Sequence, residues 1–321
     1  MVLAASLSNI DFDFIDAVHG EQVLDKVLPP GVGRAIGEPN LGSWRGHLNA
    51  IIEVVKRNLT SALILEDDAD WDVRIKEQLW DLARSSRALI QPLASDPSKY
   101  ADATYPIPES SSALPKHDIK FDALPKTVPP KDSVYGDGWD VLWLGHCGMR
   151  FPVDGMARAE WIPKGRVIRS QDLSVPEPHN FYSVSSVLDL KDGYGNHTRA
   201  VSHAADGICS LGYAVTQAGA RRLLHSLGLS PMTGAFDIML KQFCDGTKGE
   251  GPHNCLTVRP GLFQHHLPAG SKAYESDITS HGTDNRDKAS SQNLRWSVKL
   301  NYKALLAGET DFVDQFPDTA V

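Results

Sequence analysis

Ser61-Ala-Leu-Ile-Leu-Glu-Asp-Asp-Ala-Asp70 joins four apolar residues, Ala62 to Leu65, directly to Glu66, Asp67 and Asp68, with Asp70 and Asp72 close behind. A short unbroken apolar run predicts a strand buried on both faces, as in a parallel sheet covered by helices. Ligands of such sheets bind beyond the carboxyl ends of the strands, where these acids fall. Carboxylates crowded into one mouth raise each other's pKa unless a cation neutralises them. Mg²⁺ and Mn²⁺ prefer carboxylate oxygen and commonly bridge such groups to substrate phosphates. The run therefore predicts a metal-diphosphate site on Glu66, Asp67 and Asp68. Asp72 has a simpler explanation as the N-cap of a helix from Val73 onward, and the same solvated helix start could account for Asp70.

Upstream, Asn9 to Val18 alternates apolar and polar residues, which predicts a half-exposed strand. After the turn-rich Pro29-Pro-Gly-Val-Gly33, residues Leu48, Ile51, Ile52, Val55 and Leu59 fall at helical spacing. They predict an amphipathic helix over 41–59 with Ser43 as its N-cap. Gly42, Gly46 and His47 would then sit at a helix start, where free N–H groups suit a phosphate. On spacing alone His47 reads as a packed histidine joining helix to sheet.

Downstream, Ile75, Leu79, Leu82 and Ala83 mark another helix, and residues 92–138, rich in Pro, Ser, Asp and Lys, read as a long irregular insertion. Trp139 to Gly148 predicts a second buried strand, ending near His146. Phe181 to Val187 is a short strand-like run. Residues 209–228 give strand, N-cap Thr216, helix and terminal Gly228 in order. Ala235 to Cys244 is a further helix with Asp237 near its amino end, where an acid is expected on dipole grounds alone. Leu256 to Pro260 is a last strand, leading to the adjacent His265 and His266, either of which could give a nitrogen ligand to a metal. The chain beyond Thr279 reads as a polar tail anchored by Trp296 and Tyr302.

At 321 residues and 41% hydrophobic content there is enough apolar material for one large α/β domain or two small ones. A formal charge of −8 and a pI near 5.8 argue against a nucleic-acid surface. No apolar run reaches the roughly 18 residues of a membrane span, and the amino-terminal residues lack the basic start of a signal peptide. Cys147, Cys209, Cys244 and Cys255 include no C-x-x-C pair. A disulfide between Cys244 and Cys255 would close a glycine-rich loop for about 3 kcal/mol, the alternative being two buried free thiols. The sequons Asn58-Leu-Thr60 and Asn196-His-Thr198 are compatible with a secretory compartment.

The ordered blocks Gly42-Ser-Trp-Arg-Gly-His47, Leu63-Ile-Leu-Glu-Asp-Asp68, Trp139 to Gly145, Gly212 to Leu224, Phe236-Asp237 and Phe263-Gln-His-His266 to Ser276-Asp-Ile278 resemble glycosyltransferase family 25. That family includes lipopolysaccharide and collagen hydroxylysine galactosyltransferases. The resemblance spans about residues 7–278, leaving 279–321 as the tail. It implies a GT-A-like α/β fold, Rossmann-like, with a mostly parallel central sheet flanked by helices. It implies inverting transfer of a hexose, usually galactose, from a UDP-sugar to a glycan or glycoprotein acceptor, with Mn²⁺ or Mg²⁺, in the Golgi or endoplasmic reticulum lumen. It places Glu66, Asp67 and Asp68 in the metal motif, Gly42 and His47 near the donor, Asp237 as acceptor-binding residue or base, and His265 or His266 as completing the metal shell.

The family's first strand, with its Asn-Leu pair and basic Asp-Arg motif, does not precede residue 7, and Ser43 and Gly46 replace a common Cys and Ser. These departures set a second expectation beside the transferase: a family member that holds a glycan or partner without turnover. A third is another metal-phosphate enzyme, such as a nucleotidyltransferase.

Overall fold

The computed structural model describes residues 1–106, 118–152, 162–182, 190, 193–251, 253–271, 278 and 284–319. The predicted Phe181 to Val187 run lies outside them beyond residue 182, as do residues 107–117 of the insertion and 276–277 of the last family-like block.

Seven strands form the central sheet in the order β1 (Ser61–Leu65), β9 (Gly212–Thr216), β4 (Val141–Gly145), β10 (Cys255–Arg259), β7 (Arg199–His203), β6 (Arg166–Arg169) and β3 (Asp118–Lys120). Only β4/β10 and β3/β6 pair in parallel, and the other neighbours are antiparallel. The α/β class is as expected, but the sheet is mixed rather than mostly parallel. A second sheet runs β14 (Ser290–Ser291), β11 (Phe263–Leu267) and β2 (Ala69–Trp71). Two short pairs complete the set: β5 (Gly148–Arg150) with β8 (Ala205–Ile208), and β12 (Gly270–Ser271) with β13 (Asn285–Arg286).

Successive strand side chains point to opposite faces, so β4 divides the core. Val141 and Trp143 pack with Leu41, Trp44 and Ile51 of α2 (Glu38–Lys56), Leu223 and Leu227 of α4 (Gln217–Gly228), and Phe236, Leu240 and Phe243 of α5 (Phe236–Asp245). Leu142 and Leu144 pack on the other side with Trp71 and with Ile75, Leu82 and Leu89 of α3 (Ile75–Ile90). The Trp44 indole donates to Leu227 O at 3.0 Å, tying α2 to α4. Among the described residues no helix is long and apolar enough to cross a membrane.

Several local expectations hold. Thr216 Oγ1 accepts from Gly219 N at 2.9 Å and caps α4, whose last residue is Gly228; α5 ends on Gly246 in the left-handed region, a cap the sequence reading did not name. Cys244 and Cys255 form a disulfide, and Cys147 joins Cys209 in a second one that spacing did not indicate.

Other expectations do not hold. Residues 11–18 form no regular element and Asn9 follows α1 (Val2–Leu7). The 41–59 helix starts earlier, at Glu38, because Pro39 is tolerated in a first turn. Ser43 is therefore no cap, and Gly42, Gly46 and His47 lie inside the helix, where N–H groups bond to the helix's own carbonyls. Gly42 is needed for packing instead, since a Cβ there would stand 2.3 Å from Val18 O. β1 is a partly exposed edge strand rather than one buried on both faces. Part of the insertion is regular, because β3 extends the main sheet.

The polar tail is also part of the fold. Leu294 and Val298 are buried, and α6 (Tyr302–Ala307) packs beside α1. Asp70, fully buried, accepts hydrogen bonds from Trp71 N at 2.9 Å, Ser291 Oγ at 2.5 Å, Ser297 Oγ and Lys299 N at 3.2 Å. Asp72 is equally buried and accepts from Arg74 N at 2.8 Å. Neither belongs to a solvated helix start. Asp70→Ala strands four donors and is expected to cost about 3 kcal/mol of stability. Exposed Asp67→Ala is expected to stay within about 0.5 kcal/mol. Urea unfolding of the two variants measures the contrast.

Candidate metal centre

At the end of β1, Glu66 N donates to Leu211 O at 2.9 Å, and Ala69 N donates back to Glu66 O at 3.3 Å. The tight turn through Glu66, Asp67 and Asp68 thus carries the chain from the main sheet into β2 of the second. Pairing of β2 with β11 sets His265 opposite Ala69, and His266 N donates to Asp68 O at 3.1 Å. His265 Nε2 then lies 3.6 Å from Asp68 Oδ2.

Glu66, Asp68 and His265 each offer a ligand atom, and the three atoms lie within 4.8 Å of one another. All three side chains keep partial solvent access. Asp68 Oδ1 is nonetheless shielded and has no hydrogen-bond partner among the described residues. A buried acceptor with no donor is costly, so this oxygen fits a cation. The donor set of two carboxylates and one imidazole suits Mn²⁺, and suits Mg²⁺ through its carboxylates.

Period-two alternation on β11 separates the two histidines. His266 faces away, with Nδ1 2.9 Å from Ser291 Oγ and 3.8 Å from Asp70 Oδ2, so the structure gives it to the buried Asp70 network. Asp67 is exposed and lies outside the three-residue cluster, its charge felt by the amino terminus and by Lys299. His146 is fully enclosed, with Nε2 3.0 Å from Val258 O, and burial lowers its pKa to about 4.

His47 and Ser210 fix Glu66. His47 Nε2 lies 3.2 Å from Glu66 Oε1 and 3.3 Å from Ser210 Oγ, while the Ser210 hydroxyl donates to Glu66 Oε1 at 2.7 Å. His47 Nδ1 is 3.0 Å from the Tyr213 hydroxyl, and its ring stacks on Phe236 at 4.0 Å between centroids. The packed reading of His47 holds: it sits inside α2 against the sheet rather than at a helix start, and from there it touches Glu66 of the acidic turn. Serine and glutamate share the same imidazole nitrogen, so this is no Ser-His-acid nucleophile, in which they would address opposite nitrogens. Burial opposes ionisation of Glu66, but hydrogen bonding and charge from His47, with the Ser210 hydroxyl, hold its carboxyl below the usual range.

Asp68 behaves oppositely. Desolvation pushes its carboxyl up to about 6, Glu66 and Asp67 push the same way, and His265 and Lys299 oppose them. A cation must displace that proton, so Mn²⁺ affinity is expected to fall about tenfold per pH unit below pH 6. Above pH 6 the proton is already gone and this dependence should flatten. Mn²⁺ titrations across that interval measure it.

The Cys147–Cys209 disulfide forms one wall, joining the turn after β4 to the turn before β9. Cys147 Sγ lies 3.8 Å from His265 Nδ1. Cys209 N donates to Asp237 Oδ2 at 3.0 Å, and Ile238 N donates to Oδ1 at 2.8 Å. Asp237, in the first turn of α5, thus stands on the far side of the disulfide from His265. Ser210 and Tyr213 escaped the sequence reading. The available signal was their place on either side of Gly212, Ser210 in the turn before β9 and Tyr213 within it.

No protein-family model, curated protein or solved structure matches this chain.

Proposed function

We propose that the chain is a metal-dependent inverting glycosyltransferase of GT-A type, moving a hexose such as galactose from a UDP-sugar to a hydroxyl of a glycan or glycoprotein. The observation that carries this reading is the convergence of Glu66, Asp68 and His265 with the unpartnered Asp68 Oδ1. The ordered blocks that resemble glycosyltransferase family 25 supply the substrate class, and the mixed α/β sheet is compatible with it.

Glu66, Asp68 and His265 would hold the Mn²⁺ or Mg²⁺, which when bound supplies positive charge against the diphosphate that departs. His47 and Ser210 keep Glu66 oriented and ionised. Asp237 is the candidate base. Its two backbone hydrogen bonds fix the carboxylate direction while each oxygen keeps acceptor capacity for an acceptor hydroxyl proton. Pairing of all four cysteines suits an oxidising compartment such as the secretory lumen.

The test is incubation with UDP-galactose or UDP-glucose, Mn²⁺ and glycan acceptors, reading both UDP release and the group transferred. Mn²⁺-dependent UDP release abolished by a chelator, with sugar on the acceptor, is expected. Nucleotide on the acceptor would assign a nucleotidyltransferase instead. Binding of a glycan without release of UDP would assign the non-catalytic reading.

A further inference from the structure

The two sequons differ in what folding does to them. Asn58 follows the last turn of α2 with φ 53°, is exposed, and precedes the edge strand β1. Its side-chain oxygen accepts from Gln217 Nε2, which turns the amide nitrogen the other way. Among the described residues no acceptor holds that nitrogen. Thr60, the third sequon position, is also exposed, and its backbone carbonyl accepts from Gln217 N at 3.0 Å. Gln217 thus holds the triplet by its oxygens and leaves the nucleophilic nitrogen and the threonine side chain outward.

The second sequon runs into β7, an interior strand between β10 and β6. Thr198 is 3% exposed and its hydroxyl donates to Gly195 O at 2.8 Å. Asn196 Nδ2 donates to Glu177 Oε1 at 2.6 Å, and the other Glu177 oxygen accepts from Thr319 N at 3.1 Å and from Thr319 Oγ1. Asn196 is itself exposed, so what sets this sequon apart is the burial of Thr198 at the entry to β7 and the Glu177 carboxylate on the Asn196 amide.

We propose that Asn58 carries an N-linked glycan and that Asn196 does not. The donor class is a lipid-diphosphate-linked oligosaccharide, used by the cell's oligosaccharide-transferring enzyme. Asn58 Nδ2 forms a bond to the anomeric carbon, the bond from that carbon to the diphosphate oxygen breaks with its electron pair, and one amide proton is released to solvent. The β1 strand between Asn58 and Glu66 is five residues long, roughly 17 Å at strand rise, so the glycan stands clear of the acidic turn. It lies beside the outer edge of β1, with which no described strand pairs and where Leu63 is exposed. Unpaired edges of this kind invite association with other chains, and a bulky hydrated glycan blocks that approach. The proposal is independent of the sugar-transfer reading.

The experiment is secretion of the full chain behind an appended leader from eukaryotic cells, with Asn58→Gln, Thr60→Ala and Asn196→Gln beside the wild type. Each is treated with peptide N-glycosidase and mapped by mass spectrometry. One glycosidase-sensitive step is expected in the wild type and in Asn196→Gln, and its loss in Asn58→Gln and Thr60→Ala. Thr60→Ala destroys the sequon while leaving the Asn58–Gln217 bond in place, so loss in both variants is not a folding effect. An unglycosylated wild type, a step that survives in Asn58→Gln, or a glycan on Asn196 would overturn the proposal.

Discussion

Asp68→Ala is expected to lower Mn²⁺-dependent release of UDP from a UDP-hexose by about 10³-fold or more. The substitution removes one of three converging ligands and the buried Oδ1 that no described donor satisfies. Lewis-acid stabilisation of a leaving diphosphate is worth several kcal/mol, and about 4 kcal/mol is a thousandfold in rate. Asp67→Ala, one residue away, takes an exposed carboxylate from outside the cluster and should leave most activity in place. Initial rates of UDP release for the two variants make the comparison. Equal losses would show that net negative charge matters and that the cluster geometry does not.

Asp237→Asn is expected to reduce kcat by about 10²- to 10⁴-fold, the usual worth of a positioned general base. Mn²⁺ binding should be unchanged, because Asp237 is outside the three-residue cluster and, among the described residues, connects to His265 through Cys209 and Cys147. The amide keeps the size of the carboxylate but can accept only one of the two backbone N–H bonds with its oxygen, so thermal melting should accompany the kinetics. A variant that keeps its fold and its Mn²⁺ affinity while losing kcat supports the base. A variant that instead raises KM for the acceptor alone assigns Asp237 to acceptor binding.

The extent to which the sequence disclosed this arrangement differs by element. Thr216, Gly228 at the end of α4 and the apolar stripes of α4 and α5 were legible because caps and helical periodicity are local properties. The sheet's pairing directions were not. An apolar run states that a strand is covered, and says nothing of whether its neighbour runs alongside or against it. The run before Glu66 proved to be an antiparallel edge strand.

Asp70 and the segment after Thr279 were opaque for a different reason. Ser291, Asn293, Arg295, Ser297 and Asn301 are buried through hydrogen bonds rather than apolar contact. A hydropathy pattern therefore registers them as tail. His265 and His266 were indistinguishable until β11 was paired with β2, since period two alone does not say which face meets the acids. Ser210, just before β9, touches Glu66, and Tyr213 on β9 touches His47; both come from about 150 residues further along the chain, a distance that no local motif spans. Glu66 and Asp68, by contrast, were singled out because several carboxylates crowded directly after an apolar run repel one another unless a cation neutralises them.

The most direct test of the metal centre is Mn²⁺ binding by calorimetry near neutral pH, on the wild type and on Glu66→Ala, Asp68→Ala and His265→Ala. One ion per chain in the wild type, with binding weakened in all three variants and preserved in His266→Ala, is the predicted result. A wild type that gives no heat with Mn²⁺, or an Asp68→Ala variant that binds the ion as well as the wild type does, would contradict it.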